Sequence, residues 1–317
     1  MTEIKVPATS ANLGPGYDTL GLALTLFNNF KIKKRADQKL KIKVIDQNKE
    51  QEIKIAASDN LIVQAYQRYF KFLKKDIIGA EIVEEMNSPL ARGLGSSASA
   101  IIGGLAAAAV VSGQLITEKD FIQLAVELEK HPDNVVPALV GGLTVNFNCS
   151  DNYDYYKIDV DQNLNCILLV PDYELKTEKL RQVLPDQINY PAVISNLSRI
   201  SLLTAAFINR DYQLLKIAMD DQLHQPYRKQ LIKGFDKIIE TAYINGAVGA
   251  ALSGAGPTIL ALAVENEKII AAEMKKNYDS LAIDSSFYII KAYNKSLYQS
   301  LKAVSYTHLT LPTILRV

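Results

Sequence analysis

Pro89-Leu90-Ala91-Arg92-Gly93-Leu94-Gly95-Ser96-Ser97-Ala98-Ser99-Ala100 sets two glycines and three serines directly ahead of a long alanine-rich run. Gly93 and Gly95 let the backbone turn tightly, with no Cβ between it and a ligand. The serines offer hydroxyls and exposed N–H groups where a helix begins, and the helix dipole adds partial positive charge there. Such a turn is an anion site, and a polyphosphate is the anion that suits it best.

Two nucleotide motifs compete for this turn. Gly93-Leu94-Gly95-Ser96-Ser97-Ala98 satisfies the dinucleotide pattern G-x-G-x-x-A. That pattern needs a second strand after the helix. Here the helix expected over 98–111 runs into another over 118–130 (capped by Thr117), so the context fails. A Walker sequence is absent, as are the H-R-D and D-F-G signatures of protein kinases. A phosphate loop of another class remains.

Outward from the loop, elements of both kinds alternate without a strict βαβα rhythm, which predicts an α+β fold. Strands are expected at 3–8, 29–45, 78–86 and 142–147, and a helix over 60–73. A new unit then begins with a strand at 166–170. Helices follow at 177–184, 195–209, 211–222 and 228–245, then strands at 259–264 and 287–292 around a helix at 267–277. The polar stretch 149–163 suggests a division into domains 1–155 and 156–303. Residues 304–317 fit no periodicity, and the run Val304–Thr313 back-translates into a common sequencing adapter. They read as a non-native tail, and His308 is given no role.

Composition narrows the function. The 317 residues are 48% hydrophobic and 22% charged, enough for a sizeable core. A net charge of +1 argues against nucleic acid or an anionic membrane as partner. The apolar run 98–111 is too short to span a bilayer. Cys149 and Cys166 lack metal-ligand spacing and read as free thiols in a cytoplasmic protein.

Two more polar turns frame the loop: Pro7-Ala8-Thr9-Ser10-Ala11-Asn12-Leu13-Gly14-Pro15-Gly16-Tyr17-Asp18 and Ser253-Gly254-Ala255-Gly256-Pro257-Thr258. A turn at His131-Pro132-Asp133-Asn134 follows Glu127 and Glu129. Magnesium on a triphosphate takes one or two carboxylates or hydroxyls, and Glu127 with Ser97 makes such a pair, with Glu129 two residues on as the alternative carboxylate.

These motifs, in this order, resemble those of the GHMP small-molecule kinases, and within them the homoserine kinase branch. The resemblance runs from about residue 4 to about residue 295. It implies an N-terminal α/β nucleotide domain, a C-terminal ferredoxin-like domain, and ATP lying over Pro89–Ser99. It also implies Mg²⁺ held by Ser97 and Glu127, adenine met by Asn60, and a homodimer. The positions matching the substrate site are Asn12, Asp18, His131, Asp133, Asn134, Thr177, Arg181 and Arg228. Homoserine's carboxylate suits an arginine fork from Arg181 or Arg228. Its ammonium suits Asp18 or Asp133, and its hydroxyl suits Asn134. The first motif carries no lysine, so direct attack of the hydroxyl on the γ-phosphate is expected. Asn134 orients the hydroxyl in that reading, with Thr177 and Arg181 at the transferring group. Asp133 as general base is the alternative.

Overall fold

Period-two burial makes the first layer. Ala80, Ile82, Glu84 and Met86 all turn inward from strand β5, and their neighbours face outward as the pleat requires. The computed structural model describes residues 1–150, 152–175 and 177–309. Strands β1 (Thr2–Asn12), β2 (Gly16–Lys34), β3 (Leu40–Asp46) and β4 (Gln51–Ile53) precede helix α1 (Leu61–Leu73) and strand β5 (Ala80–Met86). Helices α2 (Ser96–Ser112), α3 (Glu118–Glu129) and α4 (Pro132–Val140) follow, then strands β6 (Leu143–Cys149) and β7 (Asn152–Ile158). The sheet runs β4-β3-β5-β2-β6-β7, with β1 also paired to the long β2. Its helices cover one face. α2 is apolar on all sides, with Ile101, Ile102, Leu105 and Ala106 to Ala109 buried, as a helix in the middle of a core must be.

The second unit begins with β8 (Asn165–Pro171) and helices α5 (Thr177–Gln182), α6 (Tyr190–Asn209), α7 (Leu215–Ala218), α8 (Gln225–Arg228) and α9 (Phe235–Ile244). Strands β9 (Gly249–Leu252) and β10 (Ile259–Ala263), helix α10 (Glu267–Ser280) and strand β11 (Ser285–Lys291) complete it. Its antiparallel sheet has the order β11-β8-β10-β9, the ferredoxin-like βαββαβ arrangement. Alternation along β8 divides two cores. Cys166 and Leu168 meet Leu20, Leu22 and Leu143 of the first unit, while Ile167 and Leu169 meet Ile238, Met274 and Tyr278. One shared apolar layer therefore fastens the two units together, and the cleft above it has rigid walls.

Four expectations change here. The strand expected over 29–45 is two, broken between Lys34 and Leu40. The helices expected over 211–222 and 228–245 are short pieces, because Asp221 takes the N–H groups of Leu223, His224 and Gln225 and ends one element to start the next. The domain boundary falls later than 155, since β7 pairs with β6 to Ile158. The last helix, α11 (Leu297–Leu309), belongs with the first core, where Leu297 and Leu301 are buried. It also continues past Lys302 into the expected tail, and residues 310–317 lie outside the described residues.

Among the described residues α6 is the one helix with the length and composition to cross a membrane. It is built into the second unit instead. Leu203, Ala206 and Phe207 enter the shared core, and Asn196 donates to Asp221 Oδ1 at 2.8 Å.

Candidate active site

Three motifs distant in sequence are laced together by main-chain hydrogen bonds. Thr9 N–H donates to Leu94 O, Gly254 N–H to Ala11 O and Thr258 N–H to Arg92 O. Side chains tighten the join: Asn12 Nδ2 donates to Gly254 O at 2.8 Å, and Ser253 Oγ to Gly93 O at 2.6 Å. This packing explains the glycine pair. Gly93 and Gly95 have φ of +77° and +68°. A Cβ on Gly95 would stand 2.0 Å from Thr9 Oγ1, and one on Gly93 2.3 Å from Ser253 O. The loop is thus fixed for close approach of a ligand before any ligand arrives. Asn12, Leu13 and Asp18 also hold positive φ, and such strain in non-glycine residues collects at sites that need a fixed geometry.

The laced motifs enclose a cavity of about 560 Å³. One region is apolar, with Val44, Ile53, Ile55, Leu61, Ile62 and Met86 on its wall. Asn60 stands there as the N-cap of α1, its Oδ1 accepting from Ile62 N–H and Val63 N–H. Loop residues from Leu90 to Ser97 also line the cavity. Pro89, Ala98 and Ser99 do not. Ser99 is buried and accepts from Asn28 Nδ2 at 3.0 Å, so the expected nucleotide contact at Ser99 is replaced by a structural one. Arg92, also buried, donates to Pro171 O and Leu90 O and pairs with Asp172 and Glu174, tying the loop to β8.

The carboxylate beside Ser97 is Glu129. Ser97 Oγ donates to Glu129 Oε1 at 2.5 Å. Burial drives the Glu129 pKa upward, against the hydrogen bond from Ser97 and the nearby His131. Glu127 points away to solvent and forms a two-pronged pair with Arg68 at 2.8–3.2 Å. The expected Ser97–Glu127 pair is therefore corrected to Ser97–Glu129. A hydroxyl and a half-buried carboxylate facing the glycine–serine loop fit the oxygen donors that Mg²⁺ prefers.

The remaining wall is polar. His131 caps α4 rather than sitting in a turn, with Pro132 in the first helical position. The helix start sets Asp133 and Asn134 in a chain: His131 Nδ1 lies 2.8 Å from Asp133 Oδ1, Asn134 Nδ2 donates to that same oxygen at 3.3 Å, and Thr9 Oγ1 donates to Asn134 Oδ1 at 2.8 Å. Burial works to lower the His131 pKa, but the Asp133 carboxylate and Glu129 raise it on balance. Asp18 receives both ends of the Arg181 guanidinium, at 3.0 and 3.1 Å. Ligand atoms of Asp18, His131 and Asp133 come within 4.8 Å of one another. Arg181 already engages Asp18, and His131 engages Asp133.

Arg228 is 1% exposed. It donates to Leu180 O at 3.1 Å and Gly254 O at 3.4 Å, meets His224 Nδ1 at 3.3 Å and lies 5.1 Å from the centre of the Tyr17 ring. Among the described residues no carboxylate pairs with it. Burial lowers its pKa, and Arg181 adds to that. His224 Nε2 donates to Gly14 O at 2.8 Å, which leaves Nδ1 as the acceptor facing Arg228. Thr177 opens α5, and its side chain lies outside the described residues.

Tyr17, Thr9, His224 and Glu84 join the site without having been singled out from the sequence. Glu84 had a signal, an acidic residue on the inward phase of an alternating strand. His224 had none, because its partner Gly14 lies 210 positions away.

A glycine–serine loop at a helix start, a hydroxyl–carboxylate pair beside it and a polar pocket shared by the two units make the arrangement of a small-molecule kinase of the GHMP class. Two domain families match the chain, the GHMP kinases N terminal domain over residues 60–142 and the GHMP kinases C terminal domain over residues 203–280. A homoserine kinase of Halothermothrix orenii is 45% identical over 94% of this chain and 96% of its own. One of Persephonella marina is 40% identical over 91% and 94%. The crystal structure of homoserine kinase from Cytophaga hutchinsonii superposes with a TM-score of 0.84 at 30% identity, covering 92% of this chain and 95% of that one. The chain belongs to the homoserine kinase family of the GHMP kinases.

Proposed function

We propose that this protein transfers the γ-phosphoryl group of ATP to the side-chain hydroxyl of L-homoserine, giving O-phospho-L-homoserine for threonine biosynthesis. The observation that carries the reading is the pairing of opposite charges in one pocket. Arg228, buried and without a carboxylate partner among the described residues, suits the amino-acid carboxylate, and Asp133 and Asp18 suit its ammonium. A free α-amino acid is zwitterionic, and mevalonate or a sugar would leave the acidic side unused. Free Cys149 and Cys166 agree with a cytoplasmic setting.

The chain's part in the reaction is positioning and charge. Ser97 and Glu129 would hold Mg²⁺, which neutralises phosphate charge when bound. The N–H groups at the start of α2 receive the phosphates, and α4 holds Asn134 beside them. Asn134 has its Oδ1 engaged by Thr9, so its Nδ2 is the end that turns toward Asp133 and the substrate side. That arrangement orients the homoserine hydroxyl for attack along the line of the leaving oxygen. Asp133 is buried and bonded to both His131 and Asn134. In this reading it binds and aligns, and the proton of the hydroxyl leaves with the transferred phosphate oxygens.

The two residues are separable by kinetics. Asn134→Ala is expected to lower kcat by about 10²-fold, the size of effect that misplacing a reacting group produces. Asp133→Asn keeps hydrogen bonding and is expected to retain most of the maximal rate while raising KM for homoserine. A fall in kcat for Asp133→Asn as deep as that for Asn134→Ala would instead make Asp133 the general base.

A further inference from the structure

Glu84 is a carboxyl group in the wrong company. It lies on β5 between Phe30 of β2 and Val44 of β3, is 3% exposed, and lines the apolar part of the nucleotide cavity with Met86, Ile62 and Ala100. Its one protein partner among the described residues is Asn28, whose Nδ2 reaches Glu84 Oε1 at 3.4 Å. Asn28 has no freedom to turn around. Its Oδ1 accepts from Asn87 N–H, Ser88 N–H and Ser88 Oγ, and its amide nitrogen also serves Ser99 at 3.0 Å. Oε1 is thereby an acceptor, and Oε2 has no protein partner among the described residues. The carboxyl group lines the cavity, so Oε2 is open to a ligand seated there and free to hydrogen-bond with it.

We propose that Glu84 reads the nucleotide base, donating from Oε2 to a ring nitrogen of adenine and accepting from the adjacent exocyclic amine at Oε1, whose second lone pair is not used by Asn28. This rests on ATP being the phosphoryl donor. Adenine presents that pair at N7 and N6, whereas guanine offers two acceptors along the same edge. A neutral carboxylic acid carries one donor and one acceptor, and a carboxylate carries no donor. Burial raises the Glu84 pKa to about 8, with the Asn28 bond acting weakly in the other direction, so the donor is present at neutral pH. Its register neighbours are Phe30 on β2 and Val44 on β3, and Asn28 is hydrogen-bonded to it; the nearest acid on β3, Asp46, is in register with Met86. Asp46 is turned to the N–H groups of Asn48 and Lys49. Glu85 and Lys31 pair with each other on the opposite face of the sheet. No charged neighbour enters the titration of Glu84.

Direct binding measured by calorimetry without homoserine tests this, using ATP and, as a probe of the phosphate loop alone, inorganic tripolyphosphate. Between pH 7 and pH 9 the wild type is expected to lose about tenfold in ATP affinity, as the donor titrates away. Tripolyphosphate should not share that loss. Glu84→Gln keeps a donor and an acceptor but cannot ionise, so its ATP affinity should be flat with pH. Glu84→Leu should weaken ATP about tenfold at pH 7 and leave tripolyphosphate within about twofold. An equal pH slope in Glu84→Gln, or a loss shared by tripolyphosphate, would overturn the assignment and leave Glu84 a prop for the loop. A wild type that binds neither ligand would overturn the nucleotide reading itself.

Discussion

Glu129→Gln is expected to lower turnover with ATP and magnesium by about 10²–10³-fold, the range for removing one preorganised electrostatic contact at a reacting centre. Glu127→Gln is expected to stay within about twofold of wild type, because an exposed ion pair contributes about 0–1 kcal/mol. The contrast follows from where α3 ends. Glu129 is its last residue and meets Ser97 across the cavity wall, whereas Glu127 is spent on Arg68 at the surface. Steady-state kinetics with magnesium varied separately from ATP gives the check. The Glu129 variant should need far more magnesium for half-maximal rate, and the Glu127 variant should not. Equal losses in the two variants would return the metal to Glu127 or to both.

The second large effect belongs to Arg228. Replacing it by methionine, which keeps much of the length and none of the charge, should raise KM for homoserine by about 10²-fold while leaving KM for ATP nearly unchanged. A charge-assisted hydrogen bond is worth about 1.5–3 kcal/mol, and each 1.4 kcal/mol is a factor of ten. Stability should hold or rise in the free protein, since a guanidinium buried without a carboxylate is a liability until substrate arrives. Arg181→Met should act differently, because Arg181 is already paired with Asp18. Its removal frees that carboxylate as well as deleting a cation. An Arg228 variant that unfolded more readily and kept its homoserine KM would make this residue structural.

Much of the site was legible because its residues cluster in sequence. The glycine–serine loop, the Pro7–Asp18 hairpin turn and the Ser253–Thr258 junction each carry their chemistry within a dozen positions, and folding only had to bring them together. The choice between Glu127 and Glu129 was not legible. Residues two apart on a helix point about 200° away from each other, so only one could face Ser97. What decides it is the distant Arg68 on α1 and the left-handed turn at Lys130 that reverses the chain. The His131–Asn134 segment reads as a turn but opens α4, for a local reason. Proline breaks a helix interior, yet at a first helical position its missing N–H is no loss. The broken helices between 211 and 245 depend on Asp221 gathering three N–H groups, which hydrophobic spacing does not reveal. Arg228 was found through the resemblance. Its burial could not be, since the groups around it belong to Tyr17, Leu180, His224 and Gly254, most of them distant in sequence.

The most direct test of the account is phosphoryl transfer itself, followed as ADP release with magnesium across L-homoserine, mevalonate, galactose and shikimate. L-Homoserine alone should be turned over at a rate that saturates, with O-phospho-L-homoserine as product and no signal once magnesium is chelated. A rate on homoserine no higher than on the other three alcohols would contradict the account.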